Sequence, residues 1–230
     1  MTHFDRWYVD KSFTSDWTSD KLQNWTRFVS RNNVRSILEI GSWEGRSAIF
    51  FLEHCLNSTI TCIDTFKGGQ EHLGIEGLAT VEERFDSNLA PYGSRVEKIR
   101  SRSIPALDRL GIDCRMFDVL YIVGSHQRDD VILDTLLAWR LLKKDGLMMW
   151  DDYRWKRDLP ERDRPETAVN TFFDLHGDEL EILYLADQVI ARRRSSIAGS
   201  KRLPGMTVPR NLRNLYRFAM GSPINDFRAR

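Results

Sequence analysis

No apolar run in this chain approaches the ~18 residues that a membrane-spanning helix needs. Its opening stretch, MTHFDRWYVDKSF, is polar and carries two acids, unlike a secretory signal. Cysteine is scarce. Cys55, Cys62 and Cys114 sit in apolar stretches with no CxxC or Cys/His spacing, so they read as core thiols of a cytoplasmic protein rather than as disulfides or zinc ligands. Repeats and low-complexity tracts are also missing. What remains is ordinary globular material: 230 residues, 41% hydrophobic and 11% aromatic. That suffices for one sizeable domain and argues against disorder or coiled coil.

Net charge is small as well, +1, with 34 Lys and Arg against 33 Asp and Glu. The balance is uneven along the chain. Residues 192–230 hold ten basic side chains and one acid, net +9, whereas residues 1–191 hold 24 basic and 32 acidic groups, net −8. An acidic body is followed by a basic tail. Ser195 to Ser200 reads as a linker, Pro204, Pro209 and Pro223 break any long helix, and Asn211 to Met220 could form one short helix. Such a tail could bind RNA, anionic lipid or a phosphorylated substrate. It has no aromatic-interleaved nucleic-acid motif, so packing against the acidic body of its own or a neighbouring subunit is the favoured reading, and a homo-oligomer could form through it.

Hydrophobic patterning organises the body. Leu22, Trp25, Phe28 and Val29 recur at helical spacing, with Ser19 or Asp20 as cap. Then come strand-like runs at 36–40, 59–63, 96–99, 117–123 and 147–150, separated by helical stretches at 48–56, 81–89, 104–110 and 131–142. This rhythm predicts an α/β fold, a Rossmann-like parallel sheet with helices on both faces. Runs at 180–185 and 188–192 lie too close together for a crossover helix, so they predict a terminal antiparallel hairpin. The expected layout is an N-terminal helical or lid segment over 1–33, the main domain over 34–194 and the basic extension over 195–230.

Ligands of open parallel sheets bind at the carboxyl ends of the strands. After the first strand stands Glu39-Ile40-Gly41-Ser42-Trp43-Glu44-Gly45-Arg46-Ser47. It has two glycines where a dinucleotide fingerprint needs three, and Glu39 would repel a pyrophosphate but could pair with an ammonium. Asp64 closes the second strand, where a carboxylate can accept both ribose hydroxyls.

LEIGSWEGRSA, CIDTFKGG, YIVGSH, LLKKDGLMMWDDY and the final hairpin resemble the class I S-adenosylmethionine-dependent methyltransferases over roughly residues 34–192. The resemblance is to the branch with IDGSH and DDY signatures, which includes macrocin-type sugar O-methyltransferases. It implies that Gly41, Ser42 and Gly45 wrap the methionine part of the cofactor. Ser47 and Val123 would belong to the same binding set. Glu39 would support the ammonium, Asp64 would hold the ribose and Ser103 would lie beside the adenine. The family's His in the same motif is a proposed base, which gives His126 that role.

Methyl transfer to oxygen needs an aligned acceptor and often a base. A histidine with an ordinary pKa near ~6.5 suits the task, although a lone His is also commonly structural. Asp151 and Asp152 on the same rim invite a divalent metal such as Mg²⁺, or cap the next helix, or bind substrate hydroxyls. In metal-dependent relatives a third carboxylate comes from the Asp of IDGSH, but here that position is Val123, which argues against the metal. The expected function is O-methylation of a hydroxyl on a small acceptor, sugar or natural-product-like. A catalytically impaired cofactor-binding protein and an NAD-type oxidoreductase are the rivals. The loops at 13–17 and 66–72 would shape the acceptor pocket.

Overall fold

The computed structural model describes residues 3–31, 33–69, 72, 74 and 77–195. All of the basic extension from residue 196 onward, with its expected short helix, lies outside the described residues. Seven strands form one sheet: β1 Ser36–Ile40, β2 Thr59–Asp64, β3 Val96–Arg100, β4 Phe117–Ile122, β5 Leu142–Trp150, β6 Leu180–Leu185 and β7 Val189–Arg193. Their order is β3-β2-β1-β4-β5-β7-β6. The first five run parallel, while β7 pairs antiparallel with both β5 and β6. The expected parallel sheet with a terminal antiparallel hairpin is the fold observed.

Helices α1 Leu22–Phe28, α2 Arg46–His54, α3 Val81–Leu89, α4 Ser103–Ile112, α5 Arg128–Trp139 and α6 Pro165–His176 cover the sheet. Because side chains alternate along a strand, each face has its own core. Leu38, Ile40 and Leu120 pack with α4, α5 and α6 on one face. Ile37, Val119 and Tyr121 pack with α1, α2 and α3 on the other. Trp25 of α1 is fully buried there, stacked on Phe51 with centroids 5.5 Å apart and edge-on to Phe50 and Tyr121 at 5.1 Å. Such aromatic pairs each add roughly 0.5–1.5 kcal/mol beyond area burial. They clamp the N-terminal segment onto the body.

Several boundaries differ from expectation. The helix expected over 131–142 stops at Trp139, and Leu142 already opens β5. Neither Ser19 nor Asp20 caps α1. Its N-cap is Lys21, and Asp16 instead accepts the N–H groups of Thr18 and Ser19. Helix α6 was not expected. It starts on Pro165, which suits a first helical position, and buries Ala168, Val169, Phe172 and Phe173 on one face.

Candidate functional site

The chain runs outward from β1 to β3 and then returns to add β4 and β5 on the opposite side. That leaves a switch point between β1 and β4, where a crevice opens at the strand ends. A cavity of about 970 Å³ lies there, lined by the loops that follow all five parallel strands and by Asp16, Trp17, Asp20 and Lys21 of the N-terminal segment.

Gly41 makes the crevice possible. Its φ is +92°, and a Cβ on it would sit 2.3 Å from the Gly124 Cα. The loops after β1 and β4 therefore touch backbone to backbone, which only glycine allows. Gly45 begins α2 with φ +79° against Leu89. Val123 lines the cavity and donates its N–H to Ile40 at 2.9 Å.

Asp64 also lines the cavity. It accepts the N–H groups of Trp43 and Phe66, each at 2.7 Å. Both donors have left-handed backbones, φ +49° and +56°, so the carboxylate holds two conformations that L-residues rarely adopt. Burial pushes Asp64 above the ordinary carboxylate range despite these donors. Glu39, Ser42, Gly45 and Ser47 stand behind the wall rather than on it. Glu39 is fully buried and accepts from Ser47 Oγ and, at 3.6 Å, from Cys62 Sγ. Burial pushes it up to about 7, with the Ser47, Ser42 and Cys62 hydrogen bonds opposing.

Ser103, the first residue of α4, lines the far end of the cavity. Facing it is Asp134 of α5, a residue that sequence reasoning missed. Asp134 is 3% exposed, its Oδ1 has no hydrogen-bond partner, and burial raises it to about 6 against the hydrogen bond from Ser103. Its signal was available: an acid in register with Val131, Thr135 and Ala138 on a buried helix face.

His126, Asp151 and Asp152 come together on the opposite side. His126 Nε2 lies 3.1 Å from Asp152 Oδ2, and the ring stacks on Trp155 at 4.2 Å and 15°. Burial opposes the charged form of Asp152, but the hydrogen bond from His126 and the charge of Lys21 outweigh it and hold the carboxyl below its ordinary value. Asp152 (φ +52°) and Lys156 (φ +42°) are left-handed too. Asp151 is enclosed. Its Oδ1 accepts from Lys21 Nζ at 2.8 Å, Gln188 Nε2 at 2.8 Å and the Asp152 N–H at 2.9 Å, and its Oδ2 accepts from Lys21 Nζ at 2.7 Å and Tyr121 OH at 2.5 Å. Burial and the Asp152 charge push Asp151 up, yet donors on both oxygens favour its carboxylate. Burial likewise pulls Lys21 down, and the two carboxylates more than offset it. The geometry is that of an ion pair. Lys21, Tyr121 and Gln188 escaped the sequence reading because each is remote from Asp151 along the chain.

At the mouth Trp43 stacks on His72 at 4.7 Å, and Trp17, 46% exposed, leans on both at 5.5 Å. Asp118, near the start of β4, plays a structural part. It accepts the N–H groups of Arg35 and Ser36 and pairs with Lys143 at 2.8 Å.

A family model described as "Methyltransferase domain" matches residues 38–153, just over half of the chain. The chain belongs to this methyltransferase family. A viral relative, "Uncharacterized protein R132" of Acanthamoeba polyphaga mimivirus, is 30% identical over 148 residues, 61% of either chain. Among solved structures, the O-methyltransferase NovP superposes with a TM-score of 0.58 at 19% identity, covering 76% of this chain and 79% of its own. The MycE methyltransferase of mycinamycin biosynthesis, in complex with Mg, SAH and mycinamycin VI, gives 0.58 at 14% identity over 92% of this chain and 57% of its own. These likenesses show the fold. The methyltransferase therefore spans about three fifths of the viral relative and of MycE.

A divalent metal of the kind named for MycE does not fit the donor set here. Val123 offers no oxygen, both oxygens of Asp151 are taken, and Asp152 faces His126. Among the described residues, no three His, Cys, Asp or Glu side chains come together as a metal cluster. Nor is any described helix long and apolar enough to cross a membrane.

Proposed function

We propose that this methyltransferase moves a methyl group from S-adenosylmethionine to a hydroxyl of a small acceptor, sugar or natural-product-like. The observation that carries this reading is one cavity with a backbone-anchored carboxylate, Asp64, at one end and the His126–Asp152 pair at the other. The cofactor fits the donor set. Gly41 lets the loops after β1 and β4 close on each other at the crevice, Asp64 can take a diol, and the unpartnered Asp134 Oδ1 beside Ser103 calls for a donor such as an amino group. S-adenosylmethionine, when bound, supplies an electrophilic methyl carbon on a sulfonium.

The chain's residues do the rest. Asp64, Ser103 and Asp134 hold the nucleoside end in register, with the buried Glu39–Ser47 pair bracing the loop and helix behind it. Trp17 and Trp43 narrow the mouth and offer flat faces to an acceptor. The His126–Asp152 pair takes the acceptor proton, and Asp152 stabilises the imidazolium that results. Trp155 holds the ring in place. Alignment in a shielded cavity contributes much of such a rate.

Calorimetry with S-adenosylhomocysteine and with NAD, followed by methyl transfer from labelled S-adenosylmethionine onto a panel of polyhydroxylated acceptors, tests the reading. Tight NAD binding without S-adenosylhomocysteine binding would sink it. So would turnover unchanged in His126→Ala.

A further inference from the structure

We propose that the Lys21 ammonium takes the place of a divalent cation on the carboxylates that follow β5, as a fixed positive charge on the acceptor side of the cavity. The part concerning the acceptor rests on the methyl-transfer reading above. The part concerning the cation stands without it.

Three observations carry the inference. First, Lys21 is delivered to the site from outside the sheet. It is the N-cap of α1, and α1 is anchored by the buried Trp25, whose indole N–H donates to Gln188 Oε1 at 2.7 Å. Gln188 in turn donates to Asp151 at 2.8 Å. Helix, hairpin and carboxylate thus form one connected frame that holds the ammonium in position.

Second, Asp151 is saturated. A carboxylate has about four lone-pair positions, and Lys21, Gln188, Tyr121 and the Asp152 N–H already occupy both oxygens. A hard divalent cation needs oxygen lone pairs of its own, so it could bind Asp151 only by displacing Lys21. Third, Val123, just after β4, has no side-chain oxygen to offer a cation, while the Lys21 ammonium already places a positive charge on the Asp151 carboxylate. The Lys21 side chain is 15% exposed and lines the cavity beside Asp151 and Asp152, so the ammonium is shielded from bulk water yet open to a ligand. A pre-positioned cation of this kind can stabilise charge developing on an acceptor oxygen.

The test titrates Mg²⁺ into the full chain by calorimetry, with and without S-adenosylhomocysteine. The wild type and Val123→Asp should both be silent, because Lys21 still holds Asp151. Val123→Asp combined with Lys21→Met should bind Mg²⁺, and combined with Lys21→Arg should stay silent. Lys21→Gln serves in the double variant if the Met form does not fold. Mg²⁺ binding to the wild type, equal binding by Val123→Asp alone, or a folded double variant that stays silent would each overturn the inference.

For the acceptor side, Lys21→Met should lower transfer at least 100-fold while S-adenosylhomocysteine affinity stays within threefold. Equal losses of both would mean that Lys21 only pins the N-terminal segment. Failure of the wild type to bind S-adenosylhomocysteine would count against the functional reading and leave the Mg²⁺ comparison intact.

Discussion

The N–H of Trp43 donates to Asp64 Oδ2 at 2.7 Å, binding the loop after β1 to the end of β2. The other oxygen accepts Phe66 N–H at the same distance. An amide at position 64 can accept through its oxygen only, so Asp64→Asn leaves one of the two N–H groups without a partner. The expected cost is about 1–3 kcal/mol of stability. A diol-binding role adds a second consequence, a loss of at least about tenfold in S-adenosylhomocysteine affinity. Urea unfolding and calorimetry on the same variant read the two effects separately.

Gly41 and Gly45 both have positive φ, +92° and +79°, but they meet different neighbours. A methyl at Gly45 meets Leu89 side-chain atoms at 3.0 and 3.1 Å, which can move, whereas at Gly41 it meets the Gly124 backbone at 2.3 Å, which cannot. Gly45→Ala should cost about 1–2 kcal/mol, the ordinary left-handed penalty. Gly41→Ala should exceed that clearly and weaken cofactor binding as the two loops separate. Equal losses in urea unfolding would show that the loops can part without penalty.

Glu39 predicts a pH dependence with a definite sign. Its carboxyl is raised in the fold from an ordinary 4.5 to about 7, chiefly by burial. Between these values the native state keeps a proton that the unfolded chain gives up, so stability falls as pH rises. The full cost above about pH 7 is at most about 3 kcal/mol at 1.36 kcal/mol per pH unit. Glu39→Gln removes this slope. Its stability relative to wild type should therefore grow from about pH 4.5 to about pH 8, measured by thermal unfolding across that range. A constant difference would show that Glu39 does not titrate there.

The sheet was legible because buried parallel strands are short continuous apolar runs, and SILEI, TITCID and FDVLYI stand out between polar turns. The hairpin was legible from spacing alone. Helix α6 was passed over because the charged stretch Arg154 to Arg164 hides its start, although Pro165 and the Phe172–Phe173 pair carry a helical signature. The rim was found through Gly41, Asp64, His126 and Asp151–Asp152, which end strands or lie in the loops that follow them. Lys21 was not, since no local pattern links it to Asp151, 130 positions away. Glu39 shows the converse limit. Its position in the chain was read, but the direction of its side chain follows from packing against Ser47 and Cys62.

Asp134 offers a test in which stability and binding move in opposite directions. Burial raises it from an ordinary 3.8 to about 6, so the free protein loses stability as pH rises through that interval, by at most about 3 kcal/mol. Asp134→Asn removes the buried charge and should stabilise the free protein above about pH 6, with little effect near pH 4. The same change should weaken S-adenosylhomocysteine binding at least about tenfold. With its oxygen kept by the Ser103 hydroxyl, the asparagine turns an N–H toward the cavity, where the aspartate presents an unpartnered acceptor. A variant both more stable and equally tight in binding would mean that Asp134 Oδ1 meets no ligand donor. The tension between the two readouts is what a buried, unpaired carboxylate on a cavity wall implies. It is costly in the empty protein and repaid only when a donor arrives.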